Sequence, residues 1–181
     1  VDFLLARIAS LTETLRTAAD NDTTRLASRL LLSVHWLWSA IVYHLLNFTR
    51  INPAAWLFGS LFLVQVVLLV WYGLLKSRLH FATEFRIWKS IGSFLIVYSL
   101  IYPALGLVAG FQYPRLATFG VPCPTAVLTA GFLLTASPSV PKVVLIVPVL
   151  WSFIGGSAAF LLGVYPDWVL LFAAILLLYH A

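Results

Sequence analysis

The chain has 181 residues, of which 62% are hydrophobic and 9% charged, with a net charge of +5. An average soluble domain carries about 25% charged residues and must leave much of its surface in water, so a water-soluble globular domain is excluded. The single cysteine excludes an intrachain disulfide framework, a two-cysteine motif and an iron–sulfur cluster.

Residues Val1–Arg29 differ from the rest. They hold Asp2, Glu13, Asp20, Asp22, Arg7, Arg16, Arg25 and Arg29. Leu4, Leu5, Ile8, Leu11 and Leu15 recur at spacings of three and four, the pattern of an amphipathic helix. The expected element is an interfacial helix lying on the bilayer, with a partner-binding helix as the alternative. Glu13 and Arg16 interrupt the apolar core that a cleavable signal peptide needs. The chain holds no Met, so a non-AUG start or a trimmed N-terminus is expected. Asn21-Asp22-Thr23-Thr24 reads as a break and a cap for the next helix.

Residues 30–181 form the transmembrane bundle. Five runs lack Lys, Arg, Asp and Glu: Leu30–Phe48, Ala54–Leu75, Ile91–Phe111, Phe119–Ala136 and Val143–Val164. Each is close to the roughly 20 apolar residues that cross a bilayer as a helix. None shows the period-two alternation of a membrane barrel, so the backbone must be satisfied within helices. A sixth run, Trp168–Tyr179, has 12 residues and reads as a partly inserted or truncated helix. The expected fold is therefore an all-α polytopic bundle of five to six spans. Trp56, Trp71, Tyr72, Trp88, Tyr113, Tyr165 and Trp168 lie near the ends of these runs, where aromatic residues meet headgroups.

Lys and Arg set the orientation. With the N-terminus in the cytoplasm, the cytoplasmic segments hold Arg7, Arg16, Arg25, Arg29, Lys76, Arg78, Arg86, Lys89 and Lys142, against Arg50 and Arg115 outside, a split of nine to two. The net positive charge is thus accounted for by orientation, and nucleic acid is not an expected partner. The loop Lys76–Lys89, with Phe81, Phe85 and Trp88 among its basic residues, reads as an interfacial hairpin on anionic headgroups.

The fourth run opens Phe119-Gly-Val-Pro-Cys-Pro-Thr125. Proline belongs in the first turn of a helix, so this helix is expected to start near Pro122 or Pro124 and end near Thr135. That is some 20 Å, short of the bilayer core, and the reading is a half-helix whose N-terminus lies in the outer leaflet. Pro103 and Pro148 are expected to bend their helices. Gln65 must hydrogen-bond inside the bundle. Gly106-xxx-Gly110 and Ser152-xxx-Gly156 offer small-residue faces for close helix contact.

Polar groups collect at the predicted outer end: Tyr43, His44, Asn47, Arg50, Asn52, Tyr98, Ser99, Tyr102, Tyr113, Arg115, Cys123, Thr125 and Asp167. The candidate site is Tyr43, His44, Asn52, Tyr102, Cys123 and Thr125. His44 and Cys123 are the candidate metal ligands, since imidazole and a thiolate at a helix N-terminus suit a soft ion; the alternatives are a helix-to-helix hydrogen bond for His44 and an inert small hydrophobe for Cys123. His35 lies nine residues from His44, on the opposite helix face. No HxxxH motif, phosphate loop, nucleophile elbow or carboxylate pair occurs, so no enzyme activity and no resident cofactor beyond such an ion is expected.

At Trp36-Leu-Trp38, Tyr43-His44, Ile51-Asn-Pro-Ala-Ala-Trp-Leu-Phe-Gly59, Phe119–Thr125, Pro148-Val-Leu-Trp-Ser152 and Ile154-Gly-Gly-Ser-Ala-Ala159, the chain resembles a family of bacterial integral-membrane proteins grouped only as a domain of unknown function. Members have about five to seven hydropathy-predicted spans, usually with one more apolar span before Leu30. The likeness covers roughly residues 30–170 and brings no activity. It implies Tyr43, His44, Asn52, Pro122, Cys123 and Pro124 as a signature site, and a multi-pass protein of the bacterial inner membrane. Three functions are expected in order: a small-solute or metal-ion carrier or channel-like protein entered at the outer face; an accessory subunit of a larger membrane complex, or a homo-oligomer; and a membrane enzyme or haem protein using His44 as an axial ligand.

Overall fold

The computed structural model describes residues 22–81, 83, 85–112, 120–136 and 140–180. The expected amphipathic segment before residue 22, and Tyr113, Arg115 and Phe119, lie outside the described residues. Every regular element described is helical. In chain order they are α1 (Asp22–Arg50), α2 (Ala55–Leu75), α3 (Arg86–Leu100), α4 (Tyr102–Val108), α5 (Pro122–Leu134), α6 (Val143–Leu162) and α7 (Tyr165–His180). α1, α2 and α6 are long and apolar enough to cross a membrane, as a membrane protein requires, and α3 with α4 would make a fourth span bent by 64°. α5 and α7 are apolar but shorter.

α1 runs without a break from Asp22 through Arg29 into the apolar run, so the charged Asp22–Arg29 segment is helical and continuous with it. Asp22 sits in the first turn, where a negative charge meets the positive end of the helix dipole, and Arg25 pairs with it at 3.6 Å. From Ser39 to Asn47 the winding loosens into a π-helix, and α2 does the same over Leu69–Leu75.

Arg29 and the basic segment that follows α2 meet at one end of the bundle. Buried Arg29 donates from Nε to the carbonyl of Leu79 (2.9 Å) and from a terminal nitrogen to Ser77 Oγ (3.4 Å). Ser77 turns the chain out of α2 with φ of 48°. Thr83 donates its backbone N–H to the carbonyl of Thr135, just past the C-terminus of α5 (2.8 Å). Trp88 on the first turn of α3 stacks edge-on against His180, at the end of α7. α1 and α3 therefore leave this end, and α2, α5 and α7 return to it.

The hub is α5. All its residues except Cys123 and Phe132 are buried, and it packs against α1, α3, α6 and α7, most extensively against α3. Two glycines set that approach. A Cβ on Gly92 would come 2.6 Å from the carbonyl oxygen of Gly131, and one on Gly131 would come 2.8 Å from that of Gly92. Such backbone-to-backbone contact is the means by which helices associate where no hydrophobic drive exists between them. The expected small-residue faces divide. Gly155 and Gly156 do seat α6 against Leu170 and Leu171 of α7. A Cβ on Gly110 would meet nothing within 4 Å; Gly110 has φ of 84° and closes the end of α4 instead. The close contact of the third apolar run is made at Gly92.

Pro148 strips α6 of an N–H donor, and another helix replaces it. Pro148 cannot bond the carbonyl of Val144, four residues before it; Gln65 Nε2 of α2 donates there instead (3.1 Å). Gly120, with φ of 84°, lies just before α5, and its carbonyl has no helical partner; Ser39 Oγ of α1 donates to it. Ser39 lies in the interior of α1, so the N-terminus of α5 is pinned beside the middle of that helix. Counted at about 1.5 Å per residue from the basic end, the α3–α4 bend, the start of α5 and the Pro166-Asp167 turn all fall near 20 Å, whereas α1 continues some 10 Å further.

Substituting Gly131→Ala should lower the thermal midpoint in detergent, by an overpacking penalty of about 1–3 kcal/mol, because the clash is with backbone on α3. A melt followed by circular dichroism checks this; an unchanged midpoint would show that α3 and α5 do not meet at Gly92 and Gly131.

Candidate functional site

Where the three breaks coincide, polar side chains gather. Ile101 ends α3 and the chain turns sharply into α4, whose first residue is Tyr102. Gly163, with φ of 68°, stops α6, and Pro166 and Asp167 fill the tight turn that opens α7. Val121 leads into Pro122-Cys123-Pro124 at the start of α5.

Tyr102 is buried and its hydroxyl donates to the Asp167 carboxylate, which is buried as well. The Cys123 thiol also points at this carboxyl. Tyr98 donates its hydroxyl to the carbonyl of Pro166 (2.7 Å), and Ser99 Oγ to that of Pro124 (2.8 Å), tying α3 to both neighbours. The turn bearing Asp167 and the start of α5 are therefore held to one helix by adjacent residues.

Cys123 is partly buried as a residue, but its sulfur is turned inward. The sulfur and the indole nitrogen of Trp151 both lie beside Gly155, at 3.6 and 3.4 Å from where its Cβ would stand. The indole N–H faces the sulfur without closing a hydrogen bond of ordinary geometry. The other side of Trp151 packs edge-on against His44, with ring centroids 5.2 Å apart. Phe62 (4.8 Å), Phe58 (5.9 Å), Tyr43 (5.0 Å) and Phe48 (6.1 Å) complete an aromatic box around the imidazole. His44 is fully buried, and neither ring nitrogen has a hydrogen-bond partner in the protein. The helix-to-helix hydrogen bond expected as its alternative role is not made.

The predicted site residues thus separate. Tyr43, His44, Cys123 and Tyr102 converge, with Trp151 between His44 and Cys123. Asn52 and Thr125 do not join them. Asn52 Oδ1 accepts the N–H of Ala54 (2.9 Å), a local turn that launches α2. Thr125 faces α1, with its hydroxyl 3.3 Å from Ser39 Oγ and its carbonyl accepting from Thr129, which in turn receives the Trp36 indole N–H (2.8 Å). His35 folds back onto the carbonyl of Leu31. Among the described residues no group of three or more His, Cys, Asp or Glu side chains could hold a metal ion.

A family model matches residues 3–181. The chain belongs to DUF6064, a family of unknown function. Membership agrees with a resemblance to proteins grouped only as a domain of unknown function, and it carries no activity. No curated protein and no solved structure matches the chain.

Two residues central to the cluster were not among the candidates for the site. Asp167 is among the polar groups grouped at the predicted outer end but not among the site residues; its signal is that it is the only acid after Glu84, and an ionisable group in such a segment is costly and usually functional. Trp151 gives no comparable signal, because one aromatic residue in an apolar helix is common.

Removing either end of the Tyr102–Asp167 hydrogen bond should strand the other. Tyr102→Phe and Asp167→Asn are each expected to lower stability by about 1–3 kcal/mol. The double variant should fall short of their sum by at least about 0.5 kcal/mol, as contacting residues do. Melts of the four proteins close the cycle, and strict additivity would mean that the two side chains do not touch.

Proposed function

We propose that this is a multi-pass inner-membrane protein that passes a small solute through the polar cluster where its helices break, as a carrier or channel-like protein. The observation that carries this is the Tyr102–Asp167–Cys123 cluster buried at the meeting point of three interrupted helices. Transporters place their sites at discontinuous helices, where helix ends and irregular backbone face the solute. Irregular backbone at membrane depth is tolerated only when protein or a water-filled cavity shields it. The metal-ion version is the weaker one, since no three-ligand group stands among the described residues.

The topology that goes with this reading has six passes: α1, α2, the bent pair α3–α4, α5, α6 and α7. The N-terminus is cytoplasmic. Supporting it, Arg29, Ser77, Leu79, Thr83, Trp88 and His180 meet at one end of the bundle, beside Lys76, Arg78, Arg86 and Lys89. The α5 N-terminus and Asp167 then lie about 20 Å from the cytoplasmic end, inside a hydrocarbon core about 30 Å thick. A bacterial origin agrees with the resemblance read from the sequence.

Orientation is checked by moving the single cysteine. In a Cys123→Ser background, Arg78→Cys should react with a membrane-impermeant maleimide in inverted vesicles and not in intact cells. The opposite pattern would reverse the topology.

Function is checked in proteoliposomes against a panel of glycerol, urea, glycine, rubidium ion and protons. Flux above that of empty liposomes in any arm, reduced by Asp167→Asn, supports the reading. Silence in every arm from a folded, reconstituted protein would reject it in favour of an accessory subunit.

A further inference from the structure

Four buried side chains on α1, α2 and α6 carry polar atoms that no protein group satisfies. They are His44 at both ring nitrogens, Gln65 at Oε1, Trp151 at Nε1 and Ser152 at Oγ. The first three are not scattered. Gln65 lies three positions after Phe62, which packs on both His44 and Trp151. Ser152 follows Trp151 directly but lies on the face of α6 that carries Gly155 and Gly156, three and four positions on, and that face packs against α7. His44, Gln65 and Trp151 line one seam between α1, α2 and α6, and the Trp151 indole opens that seam onto Cys123, Asp167 and Tyr102.

Buried polar atoms in native proteins are almost always satisfied, by protein or by ordered water. A seam of such atoms, each within a helical turn or two of the next, suits single waters, which need two to four polar partners. Its chemistry is also selective. It offers donors and acceptors but no fixed charge: among the described residues Asp167 is in no salt bridge, and the rings around His44 are uncharged. The titratable groups facing Asp167 are Tyr43 from α1, Tyr98 from α3, Tyr102 from α4 and Cys123 from α5. Those side chains and the imidazole can give a proton from one atom while taking one at another. Tight aromatic packing at 4.8–5.9 Å around His44 leaves little room for a larger hydrated solute.

We infer that the solute is the proton, relayed through water along the Gln65–His44–Trp151 seam and exchanged at the Asp167 carboxyl. The relay makes and breaks only O–H, N–H and S–H bonds. A proton arriving at one nitrogen of His44 is matched by one leaving the other, and a proton bound by Asp167 from the Cys123 side is released on the Tyr102 side. This inference rests on the carrier reading and names its substrate.

The test uses the full chain in liposomes of phosphatidylethanolamine and phosphatidylglycerol, with a pH-sensitive dye trapped inside and a potassium–valinomycin potential. The wild type should acidify the lumen faster than empty liposomes. Asp167→Asn and His44→Phe should each cut the rate at least about tenfold, as expected for intramembrane ionisable groups on a proton path. Asp167→Glu should retain part of the flux, and Ser60→Ala, on the exposed face of α2, all of it. His44→Phe fills an aromatic box with an aromatic ring and removes two unsatisfied nitrogens, so it should fold at least as well as the wild type; it keeps the test decisive if Asp167→Asn does not fold. Proton flux unchanged in both variants would overturn the assignment of the seam. A silent dye together with flux of another solute in the panel would overturn the proton and leave the carrier standing, whereas silence in every arm would remove both.

Discussion

Every backbone carbonyl that loses its helical partner inside an apolar medium must find another, and that requirement organises this bundle. Lipid cannot supply the donor. At Val144 the missing N–H of Pro148 is replaced by Gln65, and just before α5 the carbonyl of Gly120, outside the helix, takes the Ser39 hydroxyl. At the C-terminus of α5 the carbonyl of Thr135 takes the backbone N–H of Thr83, and beyond α2 the carbonyl of Leu79 takes Arg29. Each repair joins elements far apart in sequence. The polar residues of an otherwise apolar chain are therefore spent on stitching helix to helix at the points where a helix is interrupted.

The same repairs fix the site. Because Ser39 holds Gly120 beside the middle of α1, α5 begins inside the bundle and its Pro-Cys-Pro turn is enclosed by helices. Because Tyr98 and Ser99 are adjacent on α3, the carbonyls they bind, on Pro166 and Pro124, are brought to neighbouring positions. Asp167 and Cys123 follow and precede those two residues and so face each other. Gly92, Gly131 and Gly155 let the backbones come close enough for such short side chains to reach. The polar cluster is a consequence of where three helices stop.

This explains what was legible in the sequence and what was not. The all-helical class follows from long uncharged runs, and the short α5 from two prolines that tolerate only the first turn. Gln65 as an internal hydrogen bonder follows from its isolation in an apolar run. Pairings do not follow. Nothing local distinguishes Gly92, which meets backbone, from Gly110, which ends a helix in the left-handed conformation. Thr125 and Cys123 are two positions apart at the head of one helix, about 200° around its axis, so one faces α1 and the other α6 and α7. Asn52 is polar and near the right end, but an Asn before Pro is as readily a turn former as a ligand, and it is the turn that the chain uses. The span count is the hardest to read, since α5 and α7 have the composition of membrane helices without their length.

His44 poses a different kind of question from these stitches. Each buried group left without a partner is worth about 1–3 kcal/mol of lost stability, against a typical net stability of about 5–15 kcal/mol. His44, Gln65 and Ser152 carry such atoms on three helices that meet. A phenylalanine would fit the aromatic box around His44 and a leucine or alanine would suit the neighbouring positions, at no loss of packing. Gln65 at least repairs the carbonyl that Pro148 frees; His44 and Ser152 make no such repair. Stability alone therefore gives no reason for an imidazole between Phe62 and Trp151, a helical turn beyond Ser39 and one indole away from the Cys123 thiol. A group that binds and releases protons does give one, and the value of such a group depends on its being unpaired within the protein.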